Sequence, residues 1–388
     1  MSKTLRVGMI GYGFMGKVHS HALRSVNKFF PDAPQVEMTV ICGRSADALK
    51  SAQDLFGWQE AETDWKKVIA RPDIDIIDIC TAGDTHAEIA IAALKAGKHV
   101  ICEKPLANNV KEAEEMAAAA KEAAARGVFA MVAFNYRRVP ALAFARSMIA
   151  DGKLGTIYHV RANYLQDWII DPEFPLVWRL EKDKAGSGSL GDIGAHIIDA
   201  AQFLTGTKVT NVSGRMKTFI TERPLPGAYT GLTAATTAGK GKVTVDDAAI
   251  FTAEFDNGAL GTFEATRFAA GRKNAMSIEV NGSKGSLYFN FEDMNELLYH
   301  DHTISSESAG FRKILTTDGG HPYVNAWWPP GHIIGYEHTF THEIYDFVKA
   351  IDDNTNPTPS FADGLYVQQV LDAVEASAAN KSQLTDVK

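Results

Sequence analysis

A glycine-rich turn near the start of the chain constrains its fold more than any other segment. Residues 5–10 form a short apolar run typical of a buried strand, and residues 11–16, Gly-Tyr-Gly-Phe-Met-Gly, lead into a helix-forming stretch. In the dinucleotide-binding turn, Gly11 permits the tight turn, Gly13 lets a pyrophosphate approach, and Gly16 lets the helix pack closely on the strand. The segment therefore predicts a dinucleotide at the positive end of the first helix.

Two different periodicities divide the chain. Up to residue 136, apolar runs alternate with amphipathic stretches, which predicts βαβ units and a parallel sheet. Beyond about residue 155 the period becomes two, which predicts a mostly antiparallel sheet with one covered face. We predict an α/β chain with a Rossmann domain at 1–136 and an α+β domain at 137–388. The predicted strands are 5–10, 36–42, 74–80, 99–102, 128–134, 156–163, 243–255, 259–266, 277–280 and 286–291, and the predicted helices are 46–56, 86–96, 110–125, 140–150, 337–351 and 362–379.

Turn residues refine this outline in the second part of the chain. Asn257-Gly258 and Asn281-Gly282 separate consecutive predicted strands, as hairpin turns that need a positive φ would. Residues 223–242 are rich in Gly, Thr and Ala and contain two prolines, so we expect an irregular loop there.

Composition excludes several classes of partner. The 388 residues include 39 Lys and Arg against 47 Asp and Glu, a net charge of −8, and no run of basic residues suits a nucleic acid or an anionic membrane. No apolar stretch reaches the length of a membrane span, so we expect a cytoplasmic protein.

Cysteine and histidine spacing predicts neither a disulfide nor a metal site. Cys42, Cys80 and Cys102 lie in or at the ends of apolar runs, as small buried residues do. His338 and His342 are four residues apart on a predicted helix, but no third ligand accompanies them.

The end of the second strand leaves the form of the dinucleotide open. An acid that grips the adenosine ribose is expected there, but the residues are Cys42-Gly43-Arg44-Ser45. Either Arg44 and Ser45 contact a 2′-phosphate, which favours NADP, or Arg44 stacks on adenine and Ser45 caps the next helix, which leaves NAD acceptable.

Two later motifs carry candidate catalytic groups. Lys104, in Glu-Lys-Pro, follows the apolar run 99–102 at the carboxyl end of a parallel strand, where ligands of such sheets bind; a surface lysine is the alternative. Asp192 and His196 lie four residues apart in Gly-Asp-Ile-Gly-Ala-His, so they project from one face of a helix. A histidine there can take the hydroxyl proton when an alcohol is oxidised, unless the pair is a helix cap with a buried histidine.

The order of these three motifs closely resembles that in the Gfo/Idh/MocA family of oxidoreductases, over nearly the whole chain. Residues 134–138, Phe-Asn-Tyr-Arg-Arg, and 164–168, Tyr-Leu-Gln-Asp-Trp, resemble the levoglucosan and inositol dehydrogenase-like branch. The chain departs from many relatives after the fourth strand, where they carry a Pro-Asn pair and this chain has Thr81-Ala82-Gly83-Asp84-Thr85-His86, although His86 still matches.

The resemblance implies a nucleotide-binding domain, a substrate-binding domain and nicotinamide at the cleft between them. It implies an NAD(P)-dependent enzyme that moves a hydride between nicotinamide and a secondary alcohol carbon of a pyranose, anhydrosugar or inositol. Lys104 would contact the reacting hydroxyl, Asp192 would orient the substrate or base, and His196 would be the general acid/base. The resemblance favours NAD, whereas Arg44 and the missing acid favour NADP. The expected cofactor residues are Gly11, Gly13, Phe14, Met15, Gly16, Arg44, Ser45, Thr81, His86, Glu103, Lys104 and Asn135, and the expected substrate residues are Lys104, Tyr136, Gln166, Trp168, Arg179, Asp192, His196 and His332.

Several substrate assignments have a structural alternative. Trp168 beside Gln166 suits the apolar face of a pyranose, but it can equally be a core aromatic residue. Arg179 either reaches the substrate, which would admit an anionic sugar, or forms a surface ion pair. His332 either donates a hydrogen bond to substrate or is a loop histidine.

Two other functions suit the same motifs. Some family members oxidise a sugar carbon transiently, eliminate the glycosidic substituent and regenerate NAD, which makes them glycosidases; His196 or Tyr136 would then remove the acidified proton. A sugar or nucleotide sensor without catalysis is the other alternative, although it needs no proton relay. We also expect a homodimer or homotetramer that forms through the open face of the second sheet.

Overall fold

The computed structural model describes residues 4–230 and 232–388, which form two compact units. The described residues within Met1–Asn135 and Tyr336–Gln368 form the first unit, and those within Tyr136–Gly335 and Gln369–Lys388 form the second. The helices are α1 (Phe14–Phe29), α2 (Ala46–Phe56), α3 (Trp65–Ala70), α4 (His86–Lys95), α5 (Val110–Ala124), α6 (Pro140–Ala150), α7 (Lys182–Ala185), α8 (Ala195–Thr205), α9 (Tyr336–Asp352) and α10 (Phe361–Ala379). Within the described residues, no helix is both long enough and apolar enough to cross a lipid bilayer.

The strands belong to three sheets. They are β1 (Thr4–Ile10), β2 (Gln35–Cys42), β3 (Glu60–Glu62), β4 (Ile76–Ile79), β5 (His99–Glu103), β6 (Ala130–Ala133), β7 (Ile157–Leu165), β8 (Val209–Lys217), β9 (Glu222–Thr230), β10 (Thr233–Lys242), β11 (Ala248–Phe255), β12 (Leu260–Thr266), β13 (Ala275–Gly282), β14 (Gly285–Asn290), β15 (Glu296–Asp301), β16 (Arg312–Leu315) and β17 (Thr385–Asp386).

The first unit is built on a six-stranded parallel sheet in the order β3-β2-β1-β4-β5-β6. This order confirms the predicted Rossmann arrangement, in which the carboxyl ends of β1, β4 and β5 lie side by side. The edge strand β3 was not predicted, because Glu-Ala-Glu offers no apolar run.

After Tyr136–Gly335 of the second unit, the chain returns to the first unit at Tyr336–Gln368. The predicted single domain boundary at residue 136 does not describe this return. Helix α9 packs on α1, where the Tyr345 ring stacks on Phe30 at 4.3 Å between ring centroids and the Tyr345 hydroxyl donates to Asp32 at 2.8 Å. Periodicity predicts that such a helix has a buried face, but it does not say which core buries that face.

The second unit contains a nine-stranded sheet in the order β16-β15-β14-β13-β7-β12-β11-β8-β17. Its neighbours are antiparallel except β7 and β12, which run parallel. Helices α6 and α8 pack on this sheet. Outward residues of the open face include Tyr158, Ile250 and Leu260, each 58–60% exposed.

The prediction of an irregular loop at 223–242 is wrong, because β9 and β10 form a two-stranded antiparallel ribbon there. The register shifts opposite Pro224 and Pro226, because proline has no N–H to donate to the ladder. Arg223 anchors the ribbon, since its fully buried guanidinium donates to the carbonyls of Ile169 at 2.6 Å and Asp171 at 2.8 Å. Residue 231, which also falls in the expected loop, lies outside the described residues.

One of the two predicted hairpin turns is confirmed. Gly258 connects β11 and β12 with a φ of +82°. Asn281 and Gly282 instead end β13, and the turn consists of Ser283 and Lys284. Glycine is required at 282 because a Cβ would lie 2.3 Å from the carbonyl oxygen of Leu154.

Candidate active site

The glycine turn of the first unit is shaped for a phosphate. Gly11 has a φ of +105°, and a Cβ at Gly16 would lie 2.3 Å from the Gly11 carbonyl oxygen. Gly13 is exposed, and a Cβ there would have no neighbour within 4 Å, so backbone N–H groups are open to a ligand. Helix α1 starts directly behind with no acid in its first turn, and Phe14 and Met15 begin it. The turn therefore fits a dinucleotide pyrophosphate.

The end of β2 explains why no ribose-binding acid stands there. A Cβ at Gly43 would lie 2.0 Å from the ring of Tyr12, so the position cannot hold a side chain. Arg44 and Ser45 follow on the surface. Ser45 directly precedes α2, but its side chain makes no capping hydrogen bond, which the second interpretation of this segment had predicted.

An acid lies one strand further out. Glu62 ends β3 opposite Cys42. Burial, reinforced by the carboxylates of Glu62 and Asp64, raises the pKa of the Cys42 thiol to about 12. The adenosine end of the expected site therefore carries negative charge.

Two turns at the carboxyl ends of β4 and β5 are joined by His86. Its Nδ1 lies 3.1 Å from the carbonyl oxygen of Pro105, and its Nε2 lies 3.1 Å from that of Thr81. Burial lowers the pKa of His86, although both carbonyls favour its charged form. The ring is 1% exposed, so His86 supports these turns from beneath.

Lys104 begins the turn after β5 and is half-buried. Its backbone N–H donates to the Oε2 of Glu103 at 3.1 Å, and the Glu103 carboxylate is buried. Asn135 is also buried in this unit, where its amide donates to Thr339 of α9 at 2.8 Å.

In the second unit, Asp192 lies in a π-helical turn over Leu190–Gly194 that leads directly into α8. Single π-turns are frequent at functional sites. The Oδ2 of Asp192 accepts a hydrogen bond from the Arg267 guanidinium at 2.7 Å, and Arg267 is 1% exposed. Sequence reasoning missed Arg267.

Asp246, which sequence reasoning also missed, holds the entrance to this turn. Its Oδ1 accepts from the Gly188 N–H at 2.7 Å, and its Oδ2 accepts from the Ser189 hydroxyl at 2.6 Å and from the Leu190 N–H at 2.9 Å. Its backbone carbonyl accepts from the Ser189 N–H at 3.1 Å. A Cβ at Gly188 would collide with the Asp246 backbone at 1.8 Å, which accounts for that glycine.

His196, near the start of α8, lies against two hydrogen-bonded tyrosines. Its ring centroid is 4.6 Å from that of Tyr136 and 5.9 Å from that of Tyr164. The two phenol oxygens are 2.5 Å apart, and Asn274 bonds to both of them. Burial raises the pKa of Tyr136 to about 12.

The same network continues to Asp192. Gln166 donates to Asn274 at 2.9 Å and accepts from the Trp168 indole N–H at 2.9 Å. The Trp168 ring lies 5.2 Å from the Arg267 guanidinium carbon. We call this row, which runs along the ends of β7 and β12 and the start of β13, the polar wall; its members are Tyr136, Tyr164, Asn274, Gln166, Trp168 and Arg267.

Arg179 and His332 are among the predicted substrate residues that are not members of the polar wall. Arg179 is half-buried with its guanidinium 4.3 Å from the ring of Trp178. His332 is exposed, and its Nδ1 lies 2.9 Å from the Pro329 carbonyl oxygen. Trp168 also packs on a small apolar cluster. The alternative that it is a core aromatic residue therefore holds for one side of its ring.

Family models match both parts of the chain. Residues 5–132 match the model of an oxidoreductase family with an NAD-binding Rossmann fold, and residues 142–288 match the GFO/IDH/MocA C-terminal domain. The chain belongs to the GFO/IDH/MocA oxidoreductase family. Levoglucosan dehydrogenase from Pseudarthrobacter phenanthrenivorans is 43% identical over 385 residues, 98% of this chain and 97% of that protein.

Solved structures of family members are equally similar. An oxidoreductase domain protein from Kribbella flavida is 61% identical with a TM-score of 0.95, and the match covers 99% of each chain. A levoglucosan dehydrogenase in complex with NADH and levoglucosan is 43% identical with a TM-score of 0.93, over 99% of this chain and 100% of that one. The resemblance to the GFO/IDH/MocA family is therefore confirmed, and the protein is an NAD(P)-dependent oxidoreductase that acts on CH–OH groups.

Proposed function

We propose that the protein is an NAD-dependent dehydrogenase of a pyranose or anhydrosugar. The polar wall carries this proposal, because an aromatic ring at Trp168 stands beside the amides and hydroxyls of Gln166, Asn274 and Tyr164. A sugar ring offers the complementary surface, an apolar face surrounded by hydroxyl groups. The similarity to levoglucosan dehydrogenase supports the same substrate class.

Charge at the end of β2 and β3 supports NAD over NADP. A 2′-phosphate adds about two negative charges, and here it would meet the carboxylates of Glu62 and Asp64. Arg44 and Ser45, the residues predicted to contact a 2′-phosphate, are both exposed. A levoglucosan dehydrogenase structure contains NADH.

The residues of this chain divide the chemistry as follows. NAD, when bound, accepts the hydride from the alcohol carbon. His196 takes the hydroxyl proton, and the Lys104 cation stabilises the alkoxide character of the oxygen. Asp192, fixed by Arg267, orients the substrate. The proposed cofactor residues are Gly11, Gly13, Phe14, Met15, Gly16, Arg44, Ser45, Thr81, Glu103, Lys104 and Asn135, with His86 in support, and the proposed substrate residues are Lys104, Tyr136, Gln166, Trp168, Asp192 and His196, with Arg267 in support.

One observation favours the dehydrogenase over the glycosidase. A glycosidase of this kind needs a base for the proton next to the oxidised carbon, and Tyr136 was the candidate besides His196. Tyr136 is buried, hydrogen-bonded to Tyr164 and Asn274, and has a pKa raised to about 12, which makes it a poor base near neutral pH.

The open face of the nine-stranded sheet supports a second copy of the chain as partner. Ile250 and Leu260 expose large apolar surface there. We expect sedimentation velocity at micromolar concentration to show a dimer or tetramer, and Ile250→Lys to dissociate it. Leu55→Lys changes a still more exposed apolar residue on α2, 72% exposed against 58% for Ile250, and serves as the control. A monomeric wild type would refute this assembly.

The function is tested with purified protein, NAD or NADP, and a panel of pyranoses, anhydrosugars, inositols and aryl glycosides. Absorbance of the reduced cofactor and product mass are followed together. Reduced NAD that accumulates in proportion to an oxidised sugar supports the proposal. Release of aglycone without net reduction would establish the glycosidase instead, and a preference for NADP would overturn the cofactor assignment.

A further inference from the structure

The first unit contains a buried cluster of charged groups, of which two, His19 and Asp78, have no part in the chemistry above. His19 of α1 is 1% exposed, Asp78 of β4 is fully buried, and Glu103 ends β5. The Nδ1 of His19 lies 3.0 Å from both Asp78 oxygens, and its Nε2 lies 3.0 Å from the Oε1 of Glu103. One imidazole therefore bridges two carboxylates.

This geometry favours a doubly protonated ring. An ionised carboxylate only accepts hydrogen bonds, so a ring nitrogen that faces one donates to it, and a ring that donates from both nitrogens is an imidazolium. Burial opposes the charge, but the Asp78 carboxylate and the Cys80 sulfur together outweigh it and raise the pKa of His19 well above its ordinary value.

The surroundings of the ring are otherwise weakly acidic or apolar. The Cys80 thiol donates to the Oδ1 of Asp78 at 3.3 Å, and burial raises the pKa of Cys80, so it stays neutral. The Phe340 ring of α9 lies 5.6 Å from that of His19, and the next buried titratable groups on α9 are His342 and Glu343.

The spacing of His19, Asp78 and Cys80 also suits a metal ion, since their ligand atoms lie within 4.8 Å of one another. Both nitrogens of His19 already face carboxylates, and the thiol is protonated, whereas metal ligands must be deprotonated. The cluster is therefore a hydrogen-bonded one.

The cluster ends at the proposed reacting group. The Oε2 of Glu103, the oxygen that His19 does not bind, accepts the backbone N–H of Lys104 at 3.1 Å. The series Asp78, His19, Glu103 and Lys104 thus runs from the interior of the sheet to the turn that carries the lysine.

We propose that His19 is a positioning residue: as an imidazolium held by Asp78, it keeps the Glu103 carboxylate in place, and thereby fixes the backbone of Lys104 for the reaction. The inference rests on the proposed function, which assigns Glu103 to the cofactor and Lys104 to the reacting hydroxyl. Asp78 is bonded to neither residue, so it affects them only through the charge of His19.

Asp78→Asn tests this dependence. The variant keeps a hydrogen-bond acceptor for Nδ1 but lowers the pKa of His19 toward the neutral range, because burial then meets less opposing negative charge. The single-turnover rate of NAD reduction and the affinity for NADH are measured for the variant from pH 6 to 9. Each value is divided by the wild-type value at the same pH, which gives a rate ratio and an affinity ratio. We expect the rate ratio to fall about tenfold as pH rises through the new pKa, as loss of a charge-assisted bond of this kind implies.

Two further variants make the result specific. His19→Gln cannot titrate, so its ratio is expected to be flat and as low as the high-pH level of Asp78→Asn. Asp73→Asn removes an acid from a surface pair with Arg71 and is expected to give a flat ratio near one. A flat ratio near one for Asp78→Asn would overturn the inference.

The protonation itself is measured on the unaltered protein. Nitrogen-15 spectra of labelled histidine, assigned with His19→Gln, are expected to show both ring nitrogens of His19 protonated at pH 8, and a neutral ring at pH 7 would overturn the inference even if no variant folds. If the wild type binds NADH but oxidises no sugar, the proposed function fails, while the spectra and the pH dependence of NADH affinity still decide the role of His19.

Discussion

Asp246→Asn should misplace the turn that carries Asp192 without disturbing the rest of the protein. The wild-type carboxylate accepts three hydrogen bonds. One oxygen accepts from the Gly188 N–H, and the other accepts from the Ser189 hydroxyl and the Leu190 N–H. An asparagine has the same shape as the aspartate. If its amide oxygen accepts from Ser189 and Leu190, its NH₂ group faces the Gly188 N–H. One buried donor without an acceptor costs about 1–3 kcal/mol, and loss of the charge brings the total to about 2–3 kcal/mol.

This cost becomes a loss of rate if the displaced turn is inactive. A free energy of about 2–3 kcal/mol corresponds to about thirty- to 160-fold, so we expect kcat to fall by about that factor. The affinity for NADH should stay within about twofold, because the glycine turn belongs to the other unit. The assays are kcat at saturating substrate, NADH binding by fluorescence, and hydrogen exchange of the amides of residues 188–190.

Asp301→Asn is the matched control. Asp301 also accepts a backbone N–H and a hydroxyl, both from Thr303, but in an exposed turn of the same unit. This substitution should change neither kcat nor the exchange of residues 188–190. Our reasoning would be refuted if Asp246→Asn kept kcat within about threefold of wild type and left those amides as protected as before.

Three further predictions concern other parts of the site. His196→Ala should lower kcat by about a hundredfold or more while NADH affinity is retained, and an equal loss of NADH affinity in a titration would make His196 structural instead. Gly16→Ala should weaken NADH binding at least about tenfold, because its Cβ would press on the Gly11 carbonyl; an unchanged titration contradicts the fit of the glycine turn to a pyrophosphate. His86 has a folded-state pKa below its unfolded value of about 6.5, so its contribution to stability is present above that pH and is lost as pH falls. Melting temperatures of wild type should therefore drop more steeply between pH 7 and 5 than those of His86→Asn, and parallel slopes would show that His86 does not set the acid sensitivity.

Local signals predicted the elements whose ends are marked in the sequence. Helices α2 and α6 have the predicted bounds, because Gly57 in the left-handed conformation ends the first and Pro140 begins the second. The β9–β10 ribbon was missed because its residues are mostly exposed and show no alternation. The parallel pairing of β7 and β12 depends on long-range topology, which periodicity does not contain.

In the candidate site, too, sequence motifs predicted some residues, whereas long-range topology brings in the others. Lys104, Asp192 and His196 stand in motifs whose order identifies them. Arg267 and Asn274 follow β12 and precede β13. Asn274 meets Gln166, and Arg267 meets Trp168, only because β7 lies between these two strands. One signal was available for Asp246: a carboxylate next to Asp247, within an apolar alternation, must find donors when it is buried.

The late return of the chain to its first unit has a consequence for biosynthesis. Helix α1 leaves the ribosome long before α9, yet Phe340 of α9 lies against His19, and Tyr345 of α9 lies against Phe30. Domains usually complete their folding in the order in which they emerge. Here the nucleotide-binding unit cannot close its core until β7 to β16 of the second unit have been translated, and residues 369–388, which complete the second unit, follow later still.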